Sequence, residues 1–141
     1  MDALTSLPDG LGWTAHAERH FTPGHTAVLV VDLDRFHQVN DEQGHQAGDR
    51  ALRAVAGLLR THLEAGDLLA RMKGDVFQVL TGRHGVLTRA DALLAAARDQ
   101  GIALSVGLAT FGATVVELEQ SAREALRRAK DAGGSQVRVA S

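Results

Sequence analysis

The sequence has no cysteine, which excludes a disulfide framework and cysteine-ligated zinc and fits a cytoplasmic protein. Charge of neither sign dominates: 15 Lys and Arg stand against 17 Asp and Glu, a formal net charge of −2. No basic excess points to nucleic acid, and no run of like charges stands out. No apolar run approaches the ~20 residues that cross a bilayer, and the N-terminus has no signal-peptide core, so no membrane segment is expected. Low-complexity tracts and internal repeats are absent too. What remains is a soluble globular chain of 141 residues. That length suits one domain, spanning 1–141, and can bury roughly 70% of the unfolded surface without a staple.

The polar stretch Arg71-Met72-Lys73-Gly74-Asp75-Val76-Phe77 separates two apolar runs, Asp67–Ala70 and Phe77–Leu80. The flanks predict two strands and the middle a hairpin tip, with Gly74 supplying the backbone freedom of a tight turn. Asp75 on such a tip can be presented to a ligand by rigid strands, although Gly-Asp is also ordinary turn chemistry. Upstream, Thr26–Val31 is a continuous β-branched run, the mark of a strand buried on both faces, and it ends in Asp32-Leu33-Asp34. Carboxylates at the end of a buried strand need a partner. Oxygen ligands there suit magnesium with a phosphate; an Asp capping the next turn is the simpler alternative.

Around these two stretches the chain reads as follows. Residues 2–10 form a capped turn, and a short amphipathic helix runs from about Leu11 to His20 until Pro23-Gly24. His16 and His20 have a chelating spacing, but no third ligand lies nearby, so a solvated helix face is expected. Arg35–His45 is polar and turn-rich, and a helix from Gln46 to Leu63 carries Leu52, Val55, Leu58 and Leu59 on one face. Beyond the hairpin come a loop over 81–87, a helix capped by Thr88 and running to Arg98, and a strand over Ile102–Ala109. A helix over Val115–Ala132 is stopped by Gly133-Gly134, and Gln136–Ala140 is a last strand. The order α-β-α-β-β-α-β-α-β predicts an α+β fold: a central mixed sheet with flanking helices.

These stretches resemble one family. Asp32-Leu33-Asp34-Arg35-Phe36-His37-Gln38-Val39-Asn40-Asp41, then Gly44-His45-Gln46-Ala47-Gly48-Asp49, is similar to the D-x-D-x-F-K-x-x-N-D and G-H-x-x-G-D block of GGDEF domains, the diguanylate cyclases. Arg71–Phe77 falls where that family has R-x-G-G-D-E-F, and Ser105–Ala109 resembles its S-I-G-I-A strand. Ala125–Gly133 resembles its closing A-L-Y-x-A-K-x-x-G helix, and Asp2–Leu7 its opening D-x-L-T-G-L. Five stretches in register argue against chance. The resemblance implies a nucleotide-cyclase or polymerase-palm-like sheet, mainly antiparallel, with residues 1–25 as opening turn and helix and 26–141 as core. A chain that starts at the family's opening motif also fits a piece of a larger signalling protein.

The family's reaction, as the resemblance implies it, joins two GTP held by two facing domains. Each 3′-hydroxyl attacks the partner's α-phosphorus with loss of pyrophosphate, and Mg2+ or Mn2+ stabilises the developing charge. Asp32, the Leu33 carbonyl and Asp75 are the implied metal ligands, with Asp75 also the remnant of the catalytic acidic pair. Backbone amides near Arg35-Phe36, with Lys130, are the implied phosphate holders. Asn40 and Asp49 are the implied readers of guanine, whose N1–H and N2–H₂ donate to Asp49 while its acceptors suit the Asn40 amide. His37, Lys73 and Gly74 complete the implied nucleotide contacts.

Departures from the pattern weigh against turnover. Val76 stands where a second carboxylate is expected, and losing such a charge costs orders of magnitude in rate. Lys73 replaces the first glycine, where it either crowds the ligand or reaches a phosphate. His37 stands for lysine, Gly134 for a phosphate-gripping arginine, Ser135 for asparagine and Arg127 for tyrosine. The inhibitory product site would need Arg-x-x-Asp ending at Asp67, but Glu64 holds the arginine position. The segment from Phe77 to Ser105 is short for the family. The expectation is a degenerate GGDEF domain binding GTP or a related guanine nucleotide in a regulatory role. The alternatives are a homodimerisation or partner-domain module with a vestigial pocket, and a slow cyclase making cyclic di-GMP.

Overall fold

The β-branched run at Thr26–Val31 fixes the middle of the fold. In the computed structural model, which describes residues 1–141, β1 (Thr26–Leu33) is the central strand of a five-stranded sheet. It lies between β3 (Val76–Gly82) and β4 (Leu104–Ala109), antiparallel to both. β2 (Leu68–Lys73) pairs with β3 at one edge, and β5 (Val137–Val139) runs parallel to β4 at the other, giving the order β2-β3-β1-β4-β5. The sheet is therefore mixed and mainly antiparallel, as expected.

Helices cover both faces, which is why β1 is apolar on both sides. Leu29, Val31 and Leu33 point into a cluster with Leu52, Val55 and Leu59 of α3 (His45–His62) and Leu93 and Leu94 of α4 (Val86–Asp99). Val28 and Val30 point the other way, to Trp13 of α1 (Gly10–His20) and to Leu118, Ala122 and Leu126 of α5 (Val115–Asp131). Each fully buried Val or Leu contributes about 1.5–3 kcal/mol of transfer free energy, so these two clusters dominate folding. Two helix starts, those of α1 and α5, are capped by side chains: Asp9 Oδ1 accepts from the Gly12 amide at 2.9 Å, and Thr114 Oγ1 from the Glu117 amide at 3.2 Å.

Several expectations need correction. Arg35–His45 is not a turn-rich connection: Phe36–Gln43 is a helix, α2. Its polar sequence lacks an apolar stripe, and it is held by Phe36 packing on the core below it. The strand at Thr26–Val31 continues through Asp32 and Leu33, and both hairpin strands reach inward, so the turn narrows to Gly74-Asp75. The loop expected over 81–87 is shorter, because Thr81 and Gly82 close β3. Thr88 does not cap α4; the helix starts at Val86 behind Gly85, which is in the left-handed region. β4 starts at Leu104, two residues later than expected, and β5 is trimmed to Val137–Val139.

Candidate functional site

β1 delivers Asp32 to the mouth of the hairpin, because strand alternation sends Asp32 to the same face as Val28 and Val30. That face carries α5, and Lys130 on its last turn meets Asp32 Oδ2 at 3.2 Å. The other oxygen, Oδ1, is buried without a hydrogen-bond partner. Burial, then the neighbouring Asp75 carboxylate, push the Asp32 carboxyl up to about 7, against the pull of Lys130. Two carboxylates thus converge with one ammonium. The Leu33 amide donates to the Asp75 carbonyl at 3.4 Å, which ties the turn to the end of β1. At the tip, Gly74 has φ +49, and its carbonyl accepts from Arg71 Nε at 2.8 Å. The positive φ is the reason a glycine stands there.

Asp34, which the sequence offered only as the second carboxylate at the end of the buried strand, is the hub of this end of the sheet. Its Oδ1 accepts from the Ser105 hydroxyl at 2.7 Å and lies 3.4 Å from Lys130 Nζ, while its Oδ2 accepts from the Ser135 amide at 2.7 Å. Gly134 beside it has φ +76, and a Cβ there would lie 2.8–3.1 Å from the Asp34 carboxylate atoms. Position 134 is therefore a turn packed on a carboxylate, and a side chain there has to displace Asp34. Arg35 and Ser135 are two of only three non-glycine residues with positive φ in the chain, and both adjoin Asp34. Strain gathered at one spot is a common mark of a functional site. The hub joins β1, β4 and the turn after α5, so spacing along the chain could not have found it.

The guanine-reading candidates come from α2 and α3. Asn40 on α2 lies over Gly48 on α3: a Cβ at Gly48 would collide with the Asn40 carboxamide and come within 3.2 Å of the Phe36 ring. Gly48 is thus the space that Asn40 and Phe36 occupy, and Asp49 follows it on the exposed side of the helix. The Asn40 Oδ1 is buried with no partner. His37 is exposed, with its ring 6.1 Å from that of Phe36. A cleft of about 370 Å3 on the other face of α2 is lined by Leu33, Phe36, Val39 and Ala47, but by none of Asn40, Asp49 or Lys130. It shares the Leu33–Phe36 stretch with the implied metal and phosphate groups, while Asn40 and Asp49 stand outside its lining.

The structure brings Asp32, Asp75 and Lys130 together, and Phe36, Asn40 and Asp49 together. It does not bring Lys73 to either group. Lys73 instead borders a cleft beneath α5 with Arg123 and Val76. No three carboxylate or histidine side chains converge anywhere in the fold as a metal-binding group. The donor set at Asp32 nevertheless suits a cation: an orphaned buried oxygen beside a second carboxylate is a place where positive charge relieves both burial and repulsion. No helix is long and apolar enough to cross a membrane.

A mixed, mainly antiparallel sheet with helices on both faces, and two carboxylates where its central strand meets a hairpin, defines an α+β protein with an acidic site at one end of the sheet. Within that class the chain belongs to the GGDEF domain family: residues 1–136 match the family described as diguanylate cyclase, GGDEF domain. DgcP, a diguanylate cyclase of Pseudomonas aeruginosa PAO1, is 35% identical over 162 residues, covering 99% of this chain. The chain spans only 24% of that relative's length. The solved GGDEF domain of TpbB (YfiN) from the same organism superposes with a TM-score of 0.90 at 31% identity, covering 99% of this chain and 94% of that one. A microbial GGDEF domain solved with cyclic di-GMP gives a TM-score of 0.85 at 25% identity, with 99% and 95% covered.

Proposed function

We propose that this GGDEF domain binds GTP or a related guanine nucleotide in a regulatory role, with cyclase turnover absent or very low. The observation that carries this reading is the buried, unpartnered Asn40 oxygen packed over Gly48, one residue before Asp49. An orphaned buried acceptor costs about 1–3 kcal/mol, and a ligand donor at the α2–α3 junction removes that cost. Guanine suits the pair, because its N1–H and N2–H₂ meet acceptors that adenine's edge does not match. Phosphates extend from there toward the start of α2 and Lys130. Lys130 reaches them only by loosening its pairs with Asp32 and Asp34. Mg2+ or Mn2+, when bound, neutralises phosphate charge, and Asp32, the Leu33 carbonyl and Asp75 are the groups to hold it. We read residues 1–141 as one domain, cytoplasmic in setting, acting as a homodimer or beside a partner signalling domain. Retention of Asp32 and Asp75 favours a slow cyclase as the second reading.

Calorimetry tests the primary reading. GTP is expected to bind in the micromolar-to-millimolar range, the weak end reflecting the open surface, and more tightly than ATP. Asp49→Ala removes the difference, worth about tenfold for one lost charge-assisted bond. Indistinguishable GTP and ATP titrations of the wild-type protein refute the guanine site.

Product feedback is expected to be missing. Asp67, where the family's inhibitory motif ends, accepts from the Glu64 amide and from the Thr81 hydroxyl, each at 2.8 Å. Burial pushes its carboxyl up against those hydrogen bonds, and Glu64 pairs with Arg89 at 3.3 Å. One Asp67 oxygen, Oδ2, and the Arg89 cation are thus engaged internally. A cyclic di-GMP titration monitored by amide shifts is expected to leave Glu64, Asp67 and Arg89 unmoved; saturable shifts centred on them refute this.

A further inference from the structure

Beneath α5, beside the hairpin, lies a cleft of about 510 Å3. Its apolar walls are Val30, Met72, Val76 and Leu126, and two cations, Lys73 and Arg123, stand at its rim. The register shift between Arg71 and Lys73 makes this possible. A bulge there lets the consecutive residues Met72 and Lys73 both border the α5 side, where a regular strand would send them to opposite faces. Neither Lys73 nor Arg123 has a carboxylate within ion-pair distance. Arg123 is aimed from below by Gln78, a fully buried residue whose Oε1 accepts from the guanidinium at 3.3 Å. Gln78 is itself fixed by donating to Glu119 at 3.2 Å, and Glu119 is also bound by the Trp13 indole. Glu119 is thus engaged away from the cleft, outside its lining.

Two unpaired cations over an apolar floor select a ligand that is anionic at one end and apolar at the other. Arginine's planar fork and lysine's point charge together match a phosphate dianion better than a single carboxylate. The volume falls within the range of small-molecule sites. Val76 is essential to the match, because a carboxylate at that position would face the ligand's own charge. We infer that this cleft is a second binding site, separate from Asn40 and Asp49, for a small organic phosphate with a flat or branched apolar body. Lys73 and Val76, which read as losses when set against cyclase chemistry, are the residues that build it.

The test uses 1-naphthyl phosphate as probe on isotopically labelled protein, following amide shifts by NMR. Saturable binding is expected, with the shifts concentrated at Met72, Lys73, Val76, Gln78, Arg123 and Leu126. Inorganic phosphate and 1-naphthol, each offering half of the ligand, bind about tenfold more weakly or worse. Lys73→Gln and Val76→Glu each weaken the probe by about fivefold or more. Arg123→Gln does the same, and if it unsettles Gln78, the exposed Lys73 variant still reports. No saturation by about 5 mM, shifts centred on α2 and α3, or unchanged affinity in Lys73→Gln overturns the site. The probe has no guanine edge, so this result stands or falls independently of the GTP titration.

Discussion

Incubated with GTP and Mg2+ or Mn2+, the protein is expected to make no measurable cyclic di-GMP, and Val76→Glu alone does not restore normal turnover. The deficits lie in separate parts of one site. Val76 pairs directly across from Asp32, so a glutamate there returns a carboxylate near the metal candidates. Lys73 opposes Val76 in the hairpin ladder, and its side chain still stands where the family has a glycine. The phosphates still lack an arginine at 134. A triphosphate displaced by about 1 Å loses roughly a hundredfold in rate, whatever the metal does. Restoring Gly at 73, Glu at 76 and Arg at 134 together is therefore expected to gain far more than the product of the single gains, because groups that act as a unit are non-additive.

Position 134 makes that restoration costly. Its φ of +76 and the Asp34 carboxylate atoms 2.8–3.1 Å from any Cβ mean that Gly134→Arg alone strains the turn and displaces Asp34. A loss of about 1–3 kcal/mol is expected from the left-handed backbone alone. Urea unfolding checks that figure, and chromatography of products at high protein concentration checks the synthesis, so that dimerisation does not limit it. Robust synthesis by the unmodified protein overturns the non-catalytic reading and puts the slow-cyclase reading first.

What the sequence disclosed and what it hid differ in kind. The β-branched run at Thr26–Val31 and the Gly74 turn declared themselves, because periodicity and backbone freedom are local properties. Helix α2 did not, since Arg35–Gly44 has no apolar stripe; only tertiary packing of Phe36 on the core and of Asn40 over Gly48 makes it a helix. Asp34 was visible as a carboxylate, but its partners Ser105, Lys130 and Ser135 come from three other parts of the chain. Gly134 read as an arginine lost. The structure gives it a positive role, as the residue whose missing side chain admits the Asp34 carboxylate. The cleft beneath α5 stayed hidden because a bulge, which shifts Lys73 from one face toward the other, leaves no clear trace in the pattern of apolar residues.

Asp32→Asn is expected to stabilise the protein at pH 8, by on the order of 2 kcal/mol, and to change little near pH 4. In the folded protein the Asp32 carboxyl is pushed up to about 7, first by burial and then by Asp75, with Lys130 pulling the other way; its ordinary value is 3.8. The native state therefore holds this proton more tightly than the unfolded chain does. The stability that comes from that preference is fully present below about pH 3.8 and drains away as the pH rises to about 7; above that the native state carries the full cost of a buried anion. A gap of that size corresponds to at most about 4 kcal/mol, and local relaxation reduces it. Asparagine keeps the shape of the side chain and a hydrogen-bonding group toward Asp75 while removing the charge, and Lys130 keeps Asp34 as a partner at 3.4 Å. Asp67, also shifted upward, is common to both proteins and cancels from the difference. Mg2+ supplies the counter-charge another way, so adding it is expected to raise the wild-type melting temperature at pH 8 and to narrow the gap to the variant. Thermal melts between pH 4 and 8, with and without Mg2+, decide the matter. A variant less stable than wild type at pH 8 would show that Lys130 already compensates the buried carboxylate in full. A wild-type protein indifferent to Mg2+ would remove Asp32 and Asp75 from the list of metal ligands.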